Sequence, residues 1–95
     1  MILKIGCKSY EVEYSDSIIS DGALGTVDYN FGKINIFSEL QADMLFLTLL
    51  HECYHAYCRD AGRPESDEEE ADADFFALKV LQLFRDNPDL IKYLK

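Results

Sequence analysis

The chain opens in short alternating runs. Ile2-Leu3-Lys4-Ile5 and Ser9-Tyr10-Glu11-Val12-Glu13-Tyr14 place apolar and polar side chains on opposite faces, and Gly6-Cys7-Lys8 turns between them. This spacing predicts a hairpin with one wet face. Residues 15–22 are polar and loop-like, with Ile18 and Ile19 expected to tuck inward. Gly25-Thr26-Val27-Asp28-Tyr29 and Lys33-Ile34-Asn35-Ile36-Phe37 flank the turn formers of Asn30-Phe31-Gly32, which predicts a second hairpin. Four short strands before any helix point to one small antiparallel sheet.

The period changes at Ser38. Ser38 with Gln41 matches a capping box, no Gly or Pro interrupts the chain up to about residue 60, and Gly62 is placed to end a helix. Leu40, Met44, Leu45, Leu47, Leu49, Leu50 and Tyr54 leave that helix little polar surface upstream of His51, so it is expected to be largely buried. After the break at Arg63-Pro64-Glu65, Ser66 with Glu69 suggests a second capping box opening a helix from 67 to about 85. Phe75, Phe76, Leu78, Val80, Leu81 and Phe84 are its expected core face. Asn87-Pro88 reads as N-cap and first-turn proline of a short last helix, 89–94. Strands followed by helices define an α+β class, and 95 residues fit a single domain, 1–95.

Composition narrows the partners. The hydrophobic content of 48%, with six Tyr and six Phe, suits a folded globule in spite of a net charge of −9. Eighteen acids against nine bases, with no Lys/Arg cluster, disfavour nucleic acid and anionic membrane. Three cysteines, Cys7, Cys53 and Cys58, form neither a disulfide framework nor a CxxC metal knuckle, and reduced thiols in a cytoplasmic protein are the simplest expectation. Residues 1–5 do not resemble a signal peptide, and the apolar stretch 44–50 is far below the ~20 residues a bilayer span needs.

The candidate chemistry lies in His51-Glu52-Cys53-Tyr54-His55. Histidines four apart on a helix project from one face and can share one tetrahedral ion. Glu52, turned about 100° from His51, can reach a water held by that ion without ligating it. This is the HExxH arrangement, and the chain's only two histidines form it. A third protein ligand is then required. Cys58 continues down the same helix at a poor angle, and Cys53 and Cys7 point elsewhere. All three read as structural thiols. The acids of the second helix, Glu68, Glu69, Glu70, Asp72 and Asp74, are the better source, although a helix N-terminus favours acids without any function. Glu70 and Asp74, four apart, share a face.

Residues 48–55, TLLHECYH, and 70–77, EADADFFA, resemble the paired motifs of glutamate-type zincins, in which an HExxH helix precedes one carrying E-x-x-A-D-x-F-A. Glu70, Ala73, Asp74, Phe76 and Ala77 match the fixed positions. More narrowly, the chain resembles small phage and prophage members of the ImmA/IrrE-like metallopeptidases, supported by the D-Y-x-x-G-K-I-x-I hairpin (28–36), the TLLHE helix and a closing D-N-P-D-L. It lacks the helix-turn-helix or sensor domain of larger relatives and has Cys53-Tyr54 where a small pair is common. The resemblance implies a minimal zincin-like fold and Zn²⁺ held by His51, His55 and Glu70. It makes Asp74 the carboxylate that orients a ligand histidine and Glu52 the general base. A register using Glu68 and Asp72 instead loses the Phe-Ala match.

The function this implies is hydrolysis of a peptide bond in a protein or peptide substrate, with a phage or host regulator as target. The edge strand expected to hold the substrate is Lys33–Phe37, and Tyr29, Tyr54, Tyr57 and Arg59 are chemical candidates for oxyanion stabiliser. A zinc-binding interaction module with little turnover is the second reading, and a metal-free structural protein the third.

Overall fold

The computed structural model describes residues 1–16 and 22–94, so the expectation for Ile18 and Ile19 lies outside the described residues. The architecture is α+β: strands β1 (Ile2–Ile5), β2 (Lys8–Ser15), β3 (Gly25–Asp28) and β4 (Lys33–Phe37), then helices α1 (Ala42–Asp60) and α2 (Glu69–Asp86), and a 3₁₀ segment (Pro88–Leu94).

Both expected antiparallel hairpins form, with Ile5 opposite Lys8, a residue expected in the turn, and Asp28 opposite Lys33. They join differently from a simple meander. The strand order is β1-β2-β4-β3, and the central β2–β4 pair is parallel, so the sheet is mixed rather than antiparallel. The side chains explain the exchange. β4 carries Ile34 and Ile36, both fully buried, and fits the middle of the sheet. β3 begins with Gly25 and ends with Asp28, poor strand formers that a sheet edge tolerates. Asp28 Oδ1 accepts the N–H groups of Asn30 and Phe31 at 3.0 Å each and fixes the return turn, where Gly32 takes a positive φ of 66°. Consequently β4 has no free edge, and the exposed edge next to α1 belongs to β3.

The inner face of the sheet presents Ile5, Tyr10, Val12, Ile34 and Ile36 to Cys53 and Ala56 of α1, with Leu3, Val27, Leu45 and Leu49 around them. Burial on α1 is confined to its second half: Thr48, Glu52, Cys53, His55, Ala56 and Cys58 are buried, whereas Met44 and Phe46 are exposed. The expectation of a largely buried helix therefore holds only from Thr48 onward. The helix starts at Ala42 without a side-chain cap, because the Ser38 hydroxyl bonds Asp16 Oδ1 at 2.8 Å instead. At its end, Gly62 N–H donates to the Arg59 carbonyl and Arg63 N–H to the Cys58 carbonyl, with Gly62 at φ 71°. That is a Schellman stop at the glycine the sequence marked.

α2 packs on α1 through its smallest side chains. Ala73 and Ala77 are buried, while Phe75, Leu78 and Phe84, expected in the core, face outward. Phe76 does turn inward, its ring 5.2 Å from that of Tyr54. Alanines permit close approach of the helix backbones, and bulkier residues at those positions would hold the helices apart. Ser66 accepts the Glu69 N–H through its carbonyl rather than capping with its hydroxyl. Asn87 donates from its side chain to the Leu83 carbonyl at 2.9 Å, closing α2 rather than opening the next segment. No helix among the described residues is long and apolar enough to cross a membrane.

Ala73→Leu is expected to overpack the α1–α2 contact and lower the unfolding free energy by about 1–3 kcal/mol, measured by urea denaturation. An unchanged midpoint would show that the two helices are not held at this distance. Thiol titration at pH 8 is expected to modify Cys7 fast and leave Cys53 and Cys58 protected. Cys7 is exposed, both others are buried, and burial pushes the Cys53 thiol up to about 11. The raised Cys53 value also sets a sign. An unfolded thiol ionises near 9.0 while the folded one stays protonated, so stability is expected to fall as pH rises from 9 toward 11.

Candidate metal centre

α1 and α2 run side by side with Ala73 and Ala77 at the contact, and this brings five of the residues singled out in the sequence into one cluster. His51 and His55, one turn apart, direct their Nε2 atoms to within 3.1 Å of each other. Glu70, the first residue of α2 able to reach both, places Oε2 3.1 Å from His51 Nε2 and Oε1 2.7 Å from His55 Nε2. Asp74 Oδ1 lies 2.8 Å from His51 Nδ1. Neither Glu68 nor Asp72 bonds a histidine among the described residues, so the alternative register finds no geometry in its favour.

A sixth residue, named in the sequence as one acid of the second-helix run, joins them. Glu69 Oε2 lies 2.5 Å from His55 Nδ1 and is mostly buried, where Glu70 and Asp74 are largely exposed. The signal for it was present in the spacing. Glu69, Ala73 and Ala77 are four apart, so the small-residue stripe that packs on α1 runs through Glu69. Choosing Glu70 and Asp74 by their motif match left that stripe unread.

The hydrogen positions follow from the partners. A carboxylate only accepts, so each Nδ1 facing Asp74 or Glu69 carries the hydrogen. A neutral ring protonated at Nδ1 presents a bare lone pair at Nε2. Two such lone pairs and a carboxylate then converge, an arrangement that could hold a metal ion. The donor set matches zinc: two imidazole nitrogens and a carboxylate oxygen, with ligand atoms all within 4.8 Å of one another. Tetrahedral ligands at ~2.0–2.1 Å from an ion lie roughly 3.3 Å apart, close to the separations of 3.1, 3.1 and 2.7 Å seen here.

Glu52 flanks this cluster. Its Oε2 is 4.0 Å from His51 Nε2, beside the convergent atoms and near enough to act on something bound to them. The carboxylate is buried and accepts no hydrogen bond among the described residues. Burial raises its pKa above the usual carboxylate value, against the lowering pull of His51 and His55, and Glu70 adds to the rise. Gly25 gives it space. A Cβ at that position would sit 2.8 Å from Thr48 Cγ2 and 3.2 Å from Glu52 Cγ, so glycine lets the edge strand lie directly against the helix. Beside His51 and Glu70 opens a cleft of about 430 Å³ with apolar walls from Leu24, Met44, Leu47 and Leu78.

The four oxyanion candidates separate. The Tyr54 hydroxyl accepts from Arg63 Nη1 at 2.9 Å, and Tyr57 is exposed. Tyr29 is the one tied to the centre. Its phenol is pushed up to about 12, first by burial and then by the charges of Glu69 and Glu52, so it keeps its proton. Arg59 covers its ring at 4.7 Å. Cys53 and Cys58 are buried.

Comparison with protein-family models, with curated proteins and with solved structures gives no match.

Removing the outer carboxylates tests the arrangement. Glu69→Gln and Asp74→Asn are each expected to weaken zinc binding about 10–100-fold, read by competition with a chromophoric chelator. An effect at Asp74 alone would mean that Glu69 only fills space.

Proposed function

We propose that this chain is a zinc-dependent metallopeptidase of the glutamate-zincin type, close in kind to the ImmA/IrrE-like enzymes that its motifs resemble. One observation carries the reading: three acceptor atoms of His51, His55 and Glu70 converge, with the free, buried carboxylate of Glu52 alongside. A purely structural ion has no use for that fourth group.

Zinc, when bound there, supplies a Lewis acid that polarises a peptide carbonyl and makes water acidic enough to ionise near neutrality. Glu52 accepts the proton of the attacking water and passes it to the amine nitrogen as the C–N bond breaks. Its burial makes it a better base than an exposed glutamate. Asp74 and Glu69 hold the two imidazoles in the tautomer that leaves Nε2 free. The apolar cleft walls keep bulk water from the reacting bond. An extended substrate pairs with the free edge of β3 (Gly25–Asp28), in place of the Lys33–Phe37 strand expected from sequence, because β4 is paired on both sides.

The free cysteines suit a reducing cytoplasm, and the acidic charge suits a protein substrate rather than nucleic acid or membrane. A phage or host regulator fits the resemblance. A binding module with little turnover is favoured by one feature, the apolar surface of Phe75, Ile91, Tyr93 and Leu94, but leaves Glu52 without a role.

Glu52→Gln is expected to keep zinc affinity within about threefold while slowing cleavage of a peptide library at least ~100-fold, followed by mass spectrometry. Equal cleavage by the two proteins, or none by zinc-loaded wild type, would sink the peptidase reading.

A further inference from the structure

A second polar cavity, of about 320 Å³, opens at the C-terminal end of α1 and is lined by Lys8, Tyr10, Tyr29, Asn30, Arg59 and Asp60. In a chain of net charge −9 it gathers two of nine cations. Neither Lys8 nor Arg59 has an ion-pair partner among the described residues, whereas Lys33, Arg85 and Lys92 are each paired with a carboxylate. Both are nonetheless held in place. Arg59 stacks on the Tyr29 ring, and Lys8 donates to the Tyr29 carbonyl with its ammonium 5.9 Å from the Tyr10 ring centroid. The one acid in the cavity is committed to the fold: Asp60 Oδ1 accepts the Cys7 N–H at 3.0 Å at the tip of the first hairpin. Tyr29 and Tyr10 both have raised phenol values, chiefly from burial, so they face the cavity as neutral groups able to donate.

The cavity also has a fixed relation to Glu52. Arg59 follows Glu52 by seven residues, two helical turns, so it shares that face of α1 about 10.5 Å further along the axis. β3 keeps pace beside it, with Gly25 against Glu52 at one end and the chain passing into Tyr29 beneath Arg59 at the other. An extended peptide rises about 3.3 Å per residue. A peptide laid along β3 with its reacting carbonyl at Glu52 therefore brings a side chain about three residues away over Arg59.

We propose that the Lys8–Arg59 cavity is a carboxylate-binding subsite that selects an acidic residue about three positions from the bond next to Glu52. The substrate role rests on the peptidase reading above; the cavity's affinity for a carboxylate does not. Two cations with one acid among them match a monoanion better than a phosphate dianion, and Arg59 provides the planar donor pair that a carboxylate accepts.

The test has two arms on the full zinc-loaded chain. In the first, N-acetylglutamate α-amide is titrated into ¹⁵N-labelled protein, with N-acetylglutamine α-amide and inorganic phosphate as comparisons. Saturable shifts of the Tyr29, Asn30 and Asp60 amides are expected with the glutamate probe alone. Arg59→Gln should weaken them about tenfold or more, Arg59→Lys less, and Lys79→Gln on α2 not at all. No saturable shift, or tighter binding of phosphate, overturns the subsite. In the second arm, peptides with Glu or Gln fixed at the second to fourth positions on either side of the cut are cleaved. Glu at one position is expected to lower KM about tenfold, with kcat little changed and the preference lost in Arg59→Gln. Cleavage without that preference overturns the substrate role even if the first arm succeeds. Shifts in the first arm with no cleavage of any peptide overturn the peptidase reading and leave an anion site.

Discussion

Two imidazole lone pairs and a carboxylate cannot rest within about 3 Å of one another in a partly buried site unless positive charge lies between them. Much of the helical half of the molecule is arranged around that constraint. Asp74 and Glu69 fix the hydrogens on the far side of each ring, so neither histidine can relieve the crowding by changing tautomer. Ala73 and Ala77 set the helix spacing that lets Glu70 reach both nitrogens at once. Four carboxylates, counting Glu52, surround the two rings, a field that a divalent cation would relieve.

The sheet contributes by bringing an edge to this cluster. The second hairpin attaches through β4, whose isoleucines suit the middle, and the weaker β3 is thereby left beside α1. Because that strand begins with glycine, its backbone lies against Glu52 without a side chain intervening. Asp60 performs a similar service at the opposite end of the helix, where it holds the tip of the first hairpin through the Cys7 amide and meets Gly6 where any Cβ would collide.

What was legible in the sequence was whatever depends on spacing within one element. Histidines four apart and the Glu70–Asp74 pair follow from helical geometry, and both survive in three dimensions. The four strands were legible for the same reason, from alternation. What was hidden depends on the neighbour across the gap. Strand order turns on which hairpin arm buries its face better, and the spacing between helices turns on Ala73 and Ala77 rather than on the large phenylalanines nearby. Capping was misread because Ser38 and Asn87 each had a competing partner, Asp16 and the Leu83 carbonyl, that local pattern does not reveal. Glu69, one acid of a run, was passed over for Glu70 because the motif match favours Glu70 and local pattern does not show which ring nitrogen an acid meets.

All the donor atoms of the centre fall between His51 and Asp74, in a helical hairpin interrupted only by the stop at Gly62 and the break at Arg63-Pro64. An ion seated there, as proposed above, would tie α1 to α2 much as a disulfide ties two strands, closing a short chain loop at small entropic cost. Without an ion that hairpin is held by the contacts of Ala73 and Ala77, the Tyr54–Phe76 ring pair, the His51–Asp74 and His55–Glu69 hydrogen bonds and the Asp43–Arg85 ion pair. Metal supply would then act as a rheostat on the separation of the helices, and so on the width of the cleft between Met44 and Leu78.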